Sequence, residues 1–403
     1  MVSIAIMGHG VVGSGVAEVL LKNADSIAKK AGDAIEVKRI LDLREFPDSP
    51  LADRFTKDFN DIVNDSEIRI VVETMGGLHP SYEFVKACLE SGKSVVTSNK
   101  ELVAAKGDEL LTIAKSRNLN FLFEASVGGG IPILRPLDQC LAANEVHEIA
   151  GILNGTTNFM LTKMIEEDMP FDDALKLAQQ LGYAEREPSA DVDGHDAARK
   201  ICILASLAFG RHVFPDQVHT EGIRNVSLED VKAASLMGGV IKLIGRAKKQ
   251  GDKISCIVAP MIVKEDENLL AQVRDVFNGI MVRGDVIGDV MFYGRGAGKL
   301  PTASAVVADV IDEVKHMKRR KALFWESGAP DYVVPYTEDS TAAMVRLRGV
   351  TPAQAEAAFG AVEVLSHEGN VLAVLTPVMK EQTLVEATDS LGDRVISCIR
   401  VAE

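Results

Sequence analysis

The sequence predicts an α/β protein: a doubly wound parallel sheet, a following α+β domain, and a small C-terminal module. Three observations carry this. The chain opens as strand, glycine loop, helix. Short apolar strands then alternate with helices through about residue 130, the rhythm of a parallel sheet. From about Asp331 the elements shorten into a different, strand-rich pattern. A length of 403 residues accommodates this, at roughly 100–200 residues per domain.

Ser3–Met7 is short and apolar, a buried strand by pattern. Gly8-His9-Gly10-Val11-Val12-Gly13 follows, then the helical VAEVLLKN. In GxGxxG the first glycine allows the tight turn and the second lets backbone approach a pyrophosphate. The third lets helix pack on strand. The arrangement is Rossmann-like, with Gly8, Gly10, Val11, Val12 and Gly13 expected against a dinucleotide. The next strand, Glu36–Leu41, ends in Asp42-Leu43-Arg44. An acid there favours NAD and an arginine favours NADP, so either cofactor fits. Strand Ile68–Val72 ends near Thr74 and helix Ser81–Glu90 follows. Strand Ser94–Thr97 ends in Ser98-Asn99-Lys100. Open α/β sheets place their chemistry at such strand ends, so Thr74, Ser98 and Lys100 are expected near the cofactor. Helix Leu102–Ser116 and strand Asn120–Phe123 lead to Glu124 and the glycine-rich Gly128–Pro132, read as a crossover.

The reading therefore places a dinucleotide-binding domain at 1–130, with a returning helix at about 300–320. A substrate and dimerisation domain follows at 131–300. It holds strand Glu148–Leu153, helices Thr157–Glu167, Phe171–Leu181 and Gly194–Phe209, and strands Ile254–Val263 and Val290–Tyr293. A second glycine loop, Gly294–Gly298, precedes the returning helix, and KRRK (Lys318–Lys321) is read as a solvated helix end. Residues 331–403 give DYVVPY, TPAQAEAAFGAV, NVLAVLTP, KEQTLVEATDSL and RVISCIRV. This is a βαββαβ pattern, expected to form a ferredoxin-like (ACT-like) module.

The segment GYAEREPSADVDGHDAARK, Gly182–Lys200, holds the chemistry. It concentrates Glu185, Asp191, Asp193 and Asp196 before an apolar helix that also carries Lys200. Asp196 and Lys200 stand one helical turn apart on one face. Carboxylates suit a substrate ammonium, and a lysine near a hydroxyl or carbonyl suits proton transfer. Asp193 reads as a helix cap.

Composition narrows the partners. A formal net charge of −14 argues against nucleic acid, whose phosphates need a basic face. No apolar run reaches the roughly 18 residues that span a bilayer. Five scattered cysteines without CxxC spacing read as buried free thiols in a reducing compartment, and MVSIAIMGHG shows no signal pattern. A cytoplasmic location is expected.

The chain resembles the bacterial homoserine dehydrogenases that carry a C-terminal regulatory-like extension. The resemblance covers about the first 320 residues. It rests on GHGVVGSGV, TSNKEL, FEASVGGGIPI, LNGTTNFML, LGYAEREPSADVDGHDAARKICILA and GRGAGKLPTASAV. It implies reversible hydride transfer between L-homoserine and L-aspartate 4-semialdehyde with NADP or NAD. That is a step toward threonine, methionine and isoleucine. Carried onto this chain, it implies that Glu185, Asp191 and Asp196 hold substrate, with Thr156 and Tyr183 beside it. Lys200 would move the proton, with Lys100 near the reacting oxygen and Gly298 beside the cofactor. It also implies a structural sodium ion on the Glu124 side chain and the carbonyls of Val127, Gly129 and Ile131, and a homodimer or homotetramer. Two departures stand out. LDLRE differs from the family's more frequent VRDL. Glu338–Ala342 stands where regulatory tails usually carry a DxPG loop after their first strand, which speaks against threonine feedback. The alternatives are another semialdehyde-handling dehydrogenase, which would need a cleft cysteine, and a non-catalytic amino-acid sensor.

Overall fold

A computed structural model describes residues 1–317, 319–321 and 323–402. Lys318, the first residue of the KRRK run, lies outside the described residues. The chain divides into two compact units. The first comprises Met1–Asn144, Cys202–Pro215 and Gly294–Ala329, and the second Glu145–Ile201, Asp216–Tyr293 and Pro330 onward.

The first unit is built on a parallel sheet of strands β1 (Val2–Met7), β2 (Ile35–Leu41), β3 (Phe55–Thr56), β4 (Ile68–Glu73), β5 (Ser94–Thr97) and β6 (Phe121–Leu122). Their order is β3-β2-β1-β4-β5-β6. The order reverses beside β1, where doubly wound sheets open a ligand crevice beyond the strand C-termini. Central strands buried on both faces read as unbroken apolar runs, which is why SIAIM and IVV are legible. The Lys299–His316 helix packs Ala303, Val306, Val307 and Val310 into the same core as Ile4, Ile6, Ile70, Val72 and Val96. It therefore completes this unit.

The second unit carries a mixed sheet of eleven strands among the described residues. Its main path uses β7 (Val146–Ile152), β8 (Gly239–Gln250), β9 (Lys253–Lys264), β10 (Phe277–Gly284), β11 (Gly288–Arg295), β12 (Ala343–Arg348), β13 (Glu363–Glu368), β14 (Val371–Leu375) and β15 (Val395–Val401). The order is β11-β10-β7-β8-β9-β15-β12-β14-β13. The sequence pattern does not mark β8 and β10. Both are buried nearly throughout and interrupted by glycine, lysine or asparagine, so neither shows the alternation of a half-buried strand.

The C-terminal stretch requires a correction. DYVVPY does not open the module: Val333–Val334 pairs with Ile254–Ser255 of β9. The module begins with β12, whose MVRLR does not stand out as a strand in the sequence. It continues through helix Pro352–Phe359, β13, β14, helix Glu381–Leu391 and β15. Glu338–Ala342 therefore precedes its first strand. The loop that follows that strand is Gly349-Val350-Thr351-Pro352, closed by a Thr351–Gln354 capping box and also without Pro-Gly. β15 runs parallel to β9, with Met261 opposite Arg400, so the module's strands extend the same sheet.

Lys242, in the middle of β8, is 2% exposed. Its Nζ donates to Val273 O (2.6 Å) and Asn158 Oδ1 (3.2 Å). Burial, and secondarily the Arg274 charge, push its ammonium down to about 8. In the unfolded chain the group stays protonated up to its ordinary 10.5. Between these values the unfolded state binds the extra proton, so Lys242 makes stability rise with pH. Relative to Lys242→Met, denaturant titrations should show a gain of about 3 kcal/mol across that window. Equal slopes for the two proteins would refute this.

None of the five cysteines forms a disulfide, as expected, but they are not all buried: Cys140 is exposed. Among the described residues no helix is long and apolar enough to cross a membrane.

Candidate active site

In the first unit the glycine loop joins β1 to the Val11–Lys22 helix. Gly8 has φ +91°, and a Cβ there would lie 3.0 Å from the Thr74 and Met75 backbone. A Cβ on Gly13 would collide with Gly8 O and come within 2.7 Å of Thr74 Oγ1. Around Gly10, by contrast, a Cβ would meet nothing within 4 Å. Thr74 latches the loop: its Oγ1 lies 3.1 Å from Met7 O and 2.9 Å from Gly8 O. Val11 is exposed at the helix start, and Val12 packs partly on the core. A helix N-terminus and an open second glycine fit a dinucleotide pyrophosphate.

At the end of β2, Asp42 and Arg44 form one device. Arg44 Nε donates to Asp42 Oδ1 and Nη2 to Oδ2, each at 2.9 Å. The amide of His9 in the glycine loop donates to the same Oδ2 at 2.7 Å. The Arg44 hydrogen bonds, opposed by burial, hold the Asp42 carboxyl well below the usual range. The Arg44 side chain itself is mostly exposed.

Ser98 and Lys100 flank Asn99, whose side chain accepts from Leu102 N at 3.1 Å and so caps the Lys100–Ser116 helix. Ser98 N donates to Glu73 O at 3.3 Å. Sequence reasoning missed Glu73. It is fully buried at the end of β4, and burial raises its carboxyl above the ordinary value. It accepts from Met75 N, Ser81 Oγ and Thr97 Oγ1 (2.7, 3.2 and 2.6 Å), tying the ends of β4 and β5 to the start of the Ser81–Glu90 helix. Gly298, at φ +126°, opens the Lys299–His316 helix.

Glu124 follows β6, and its carboxylate is buried among backbone amides. It accepts from the amides of Ile133 (2.7 Å), Leu134 (2.9 Å) and Arg135 (2.8 Å). Asp309 accepts from Glu124 N and from Arg135, and burial raises it to about 7. Beside this, Gly128 and Gly129 take left-handed conformations (φ +74° and +55°). These bend the chain between the carbonyls of Val127, Gly129 and Ile131.

The second unit gathers the residues of the Gly182–Lys200 segment. Lys200 Nζ donates to Asp196 Oδ2 and to Leu153 O, both at 2.7 Å. Lys200 and Asp196 are 8% and 6% exposed, so this is no surface i,i+4 pair of small worth. The hub is Asn154, which the sequence reading quotes only within LNGTTNFML. Its Nδ2 reaches Asp191 Oδ1 (2.7 Å) and Asp196 Oδ2 (2.8 Å). Its Oδ1 accepts from Thr157 N at 2.8 Å and caps the Gly155–Glu167 helix. An asparagine at an N-cap immediately after a strand was the available signal.

Thr156 Oγ1 donates to Tyr183 O at 2.8 Å. The Tyr183 ring is half exposed and packs edge-on to Phe159. Glu185 is exposed, with its carbonyl accepting from Gln179 at 3.1 Å. No hydrogen bond among the described residues draws its carboxylate into the Asn154 hub. Asp193 is not a side-chain cap. It ends the short Ser189–Val192 helix and pairs with Arg224. The cluster thus sets two carboxylates and one lysine around a single side-chain amide, an environment for a cation and an exchangeable proton.

Known proteins share this chain's sequence and fold. The family model described as "Homoserine dehydrogenase" matches residues 132–311, and the one described as "Homoserine dehydrogenase, NAD binding domain" matches residues 8–124. Homoserine dehydrogenase of Synechocystis is 47% identical over 323 residues, covering 78% of this chain and 73% of that protein. Homoserine dehydrogenase of Pseudomonas aeruginosa is 43% identical, with 78% and 73% covered. The crystal structure of a homoserine dehydrogenase from Thiobacillus denitrificans superposes with a TM-score of 0.91 at 35% identity, covering 100% of this chain and 98% of that one. A hyperthermophilic archaeal homoserine dehydrogenase in complex with NADPH gives 0.65 at 29% identity, with 77% and 97% covered. By sequence and by fold, this chain belongs to the homoserine dehydrogenase family.

Proposed function

We propose that Lys200 moves the proton in the reversible NAD(P)-dependent conversion of L-homoserine to L-aspartate 4-semialdehyde, the reaction of this family. The observation that carries it is the buried Lys200–Asp196–Asn154 cluster. In oxidation the Lys200 amine accepts the hydroxyl proton, and in reduction its ammonium returns it. Asp196 orients Lys200. Asp196, Asp191 and Glu185 receive the substrate ammonium, Thr156 and Tyr183 lie beside the substrate, and Lys100 serves near the reacting oxygen. NAD(P), when bound, supplies the hydride acceptor. Gly8, Gly10, Val11, Val12, Gly13, Thr74, Ser98 and Gly298 would hold it. The test is absorbance at the reduced-nicotinamide band with homoserine, run with NAD and NADP in parallel. Silence with both would overturn the reading.

Arg44 is proposed to accept the 2′-phosphate of NADP, exchanging its contact with Asp42 for a doubly charged partner. Arg44→Ala should lower kcat/KM with NADP roughly 10- to 100-fold and change that with NAD little. An unchanged NADP-to-NAD ratio would remove Arg44 from specificity.

A structural sodium ion would sit on the carbonyls of Val127, Gly129 and Ile131. Glu124, committed to three amides, would contribute mainly charge. The C-terminal strand order β15-β12-β14-β13 supports a ferredoxin-like, ACT-like module. Edge strand β11 and its turn expose Val286, Ile287 and Tyr293, which supports a homodimer or homotetramer. Five thiols without a disulfide support a cytoplasmic location.

A further inference from the structure

One segment touches both the C-terminal module and the loop that carries the substrate carboxylates. It is His219–Arg224, and nothing in the reaction just described uses it.

On the module side it is held by buried charge. Arg400, in β15, is 7% exposed. Its Nη1 donates to Glu221 at 2.9–3.0 Å, and its Nε donates to Glu381 Oε1 at 2.6 Å. Glu221 also bonds His219 Nε2 at 2.7 Å, and the His219 ring stacks on Tyr336 with centroids 3.7 Å apart. The backbone is pinned to β9, where Glu221 N donates to Val258 O at 2.7 Å.

On the substrate side the same segment lies directly against residues 189–194. Ile223 N donates to Val192 O at 2.8 Å. A Cβ on Gly222 would collide with Val192 O and lie 2.5 Å from Asp193 Cα. Gly194, at φ +85°, leaves a Cβ only 2.9 Å from Thr220 Cγ2 and 3.3 Å from Glu221 O. Arg224 then closes the contact, with Nε 2.5 Å from Asp193 Oδ1 and Nη2 3.0 Å from Ser189 Oγ. The stretch gripped in this way carries Asp191 and leads directly into Asp196 and Lys200.

We infer that His219–Arg224 is a strap by which the C-terminal module positions the substrate carboxylates, with Arg400, Glu221 and Arg224 as its positioning residues. The module then has a task in catalysis that needs no effector: it buttresses the loop that binds the substrate ammonium. A polar contact chain is well suited to this. Its bonds have fixed geometry, and an unpaired buried member is costly, so the strap holds one position. The two glycines fit because their neighbours leave no room for a side chain. This inference rests on the assignment of Asp191 and Asp196 to substrate binding.

The test uses the full-length enzyme with Arg224→Ala on the loop side and Glu221→Gln on the module side. Arg224 is nearly half exposed at the surface, so its replacement keeps the fold even where Glu221→Gln disturbs it. Each variant should raise the KM for homoserine roughly 3- to 30-fold. The dissociation constant of the nicotinamide cofactor and the melting temperature of Arg224→Ala should stay at wild-type values. Because both act through one strap, their effects in the double variant should fall short of the product of the singles. Arg224→Lys should recover part of the loss. A wild-type KM in folded Arg224→Ala overturns the inference, and so does a fully multiplicative double variant. Failure of the site assignment itself would show separately, as wild-type homoserine affinity in Asp191→Asn.

Discussion

Lys200→Arg is expected to lower kcat for homoserine oxidation roughly 10²- to 10⁴-fold, the usual reach of a positioned acid–base group. The substitution isolates proton transfer. Arginine keeps the positive charge beside Asp196 but does not deprotonate near working pH, so it holds the carboxylate and moves no proton. Lys200→Ala should be as slow, and less stable as well. It takes the ammonium away from the buried Asp196 carboxylate, and a broken buried pair costs about 3–5 kcal/mol. Comparing the two separates chemistry from folding. The measurements are steady-state rates, homoserine affinity in the presence of cofactor, and thermal melts. A folded Lys200→Arg enzyme with near-normal kcat would end the proton-transfer assignment.

The residues on which this rests are unevenly legible. Asp196 and Lys200 can be read as a pair because i,i+4 spacing is a local property of helices. Their burial cannot, because it depends on Leu153 and Asn154, which lie far earlier in the chain. Asn154 also looks ordinary alone, since asparagine before a helix is a routine cap. Only its second pair of hydrogen bonds, to Asp191 and Asp196, makes it a hub. Glu73 is hidden for a related reason. It ends an apolar strand, where a sequence reader expects the carboxylate to face solvent rather than three converging donors. Asp193 errs in the opposite direction. A local rule suggests a cap, and Arg224, far along the chain, claims the carboxylate instead.

The fold follows the same division. The six parallel strands form short runs, and the central ones are readable because they are apolar and bounded by glycine or polar residues. The mixed sheet is less legible. β12 carries Arg346 in its interior, and that arginine is tolerable only because its Nη1 meets Asp230 Oδ1 at 2.7 Å. A charged residue in a strand suggests an exposed edge until its partner is known. DYVVPY errs in reverse: it has strand-forming residues, yet just Val333 and Val334 join a ladder, and that ladder belongs to β9.

Gly10→Ala should fold like the wild type and fail to hold the cofactor. The three loop glycines look equivalent in sequence, but the structure gives them different reasons to be glycine. Gly8 needs its left-handed backbone, and Gly13 has no room beside Gly8 O. Gly10 has neither constraint. Its φ is −77°, in the range any residue adopts, and a methyl group there touches nothing within 4 Å. A glycine with no demand from the protein points to a demand from a ligand, and the second glycine of this loop is where backbone approaches pyrophosphate. The methyl of alanine would occupy that approach. Cofactor affinity, followed by fluorescence quenching on titration, should fall roughly 100-fold, about 2.8 kcal/mol, with an unchanged melting temperature for the free protein. Gly13→Ala should do the reverse first, lowering the melting temperature of the free protein because the loop must open to admit the side chain. If Gly10→Ala binds NAD and NADP as tightly as wild type, the pyrophosphate does not lie on this loop. The division of labour among the three glycines would then have to be redrawn.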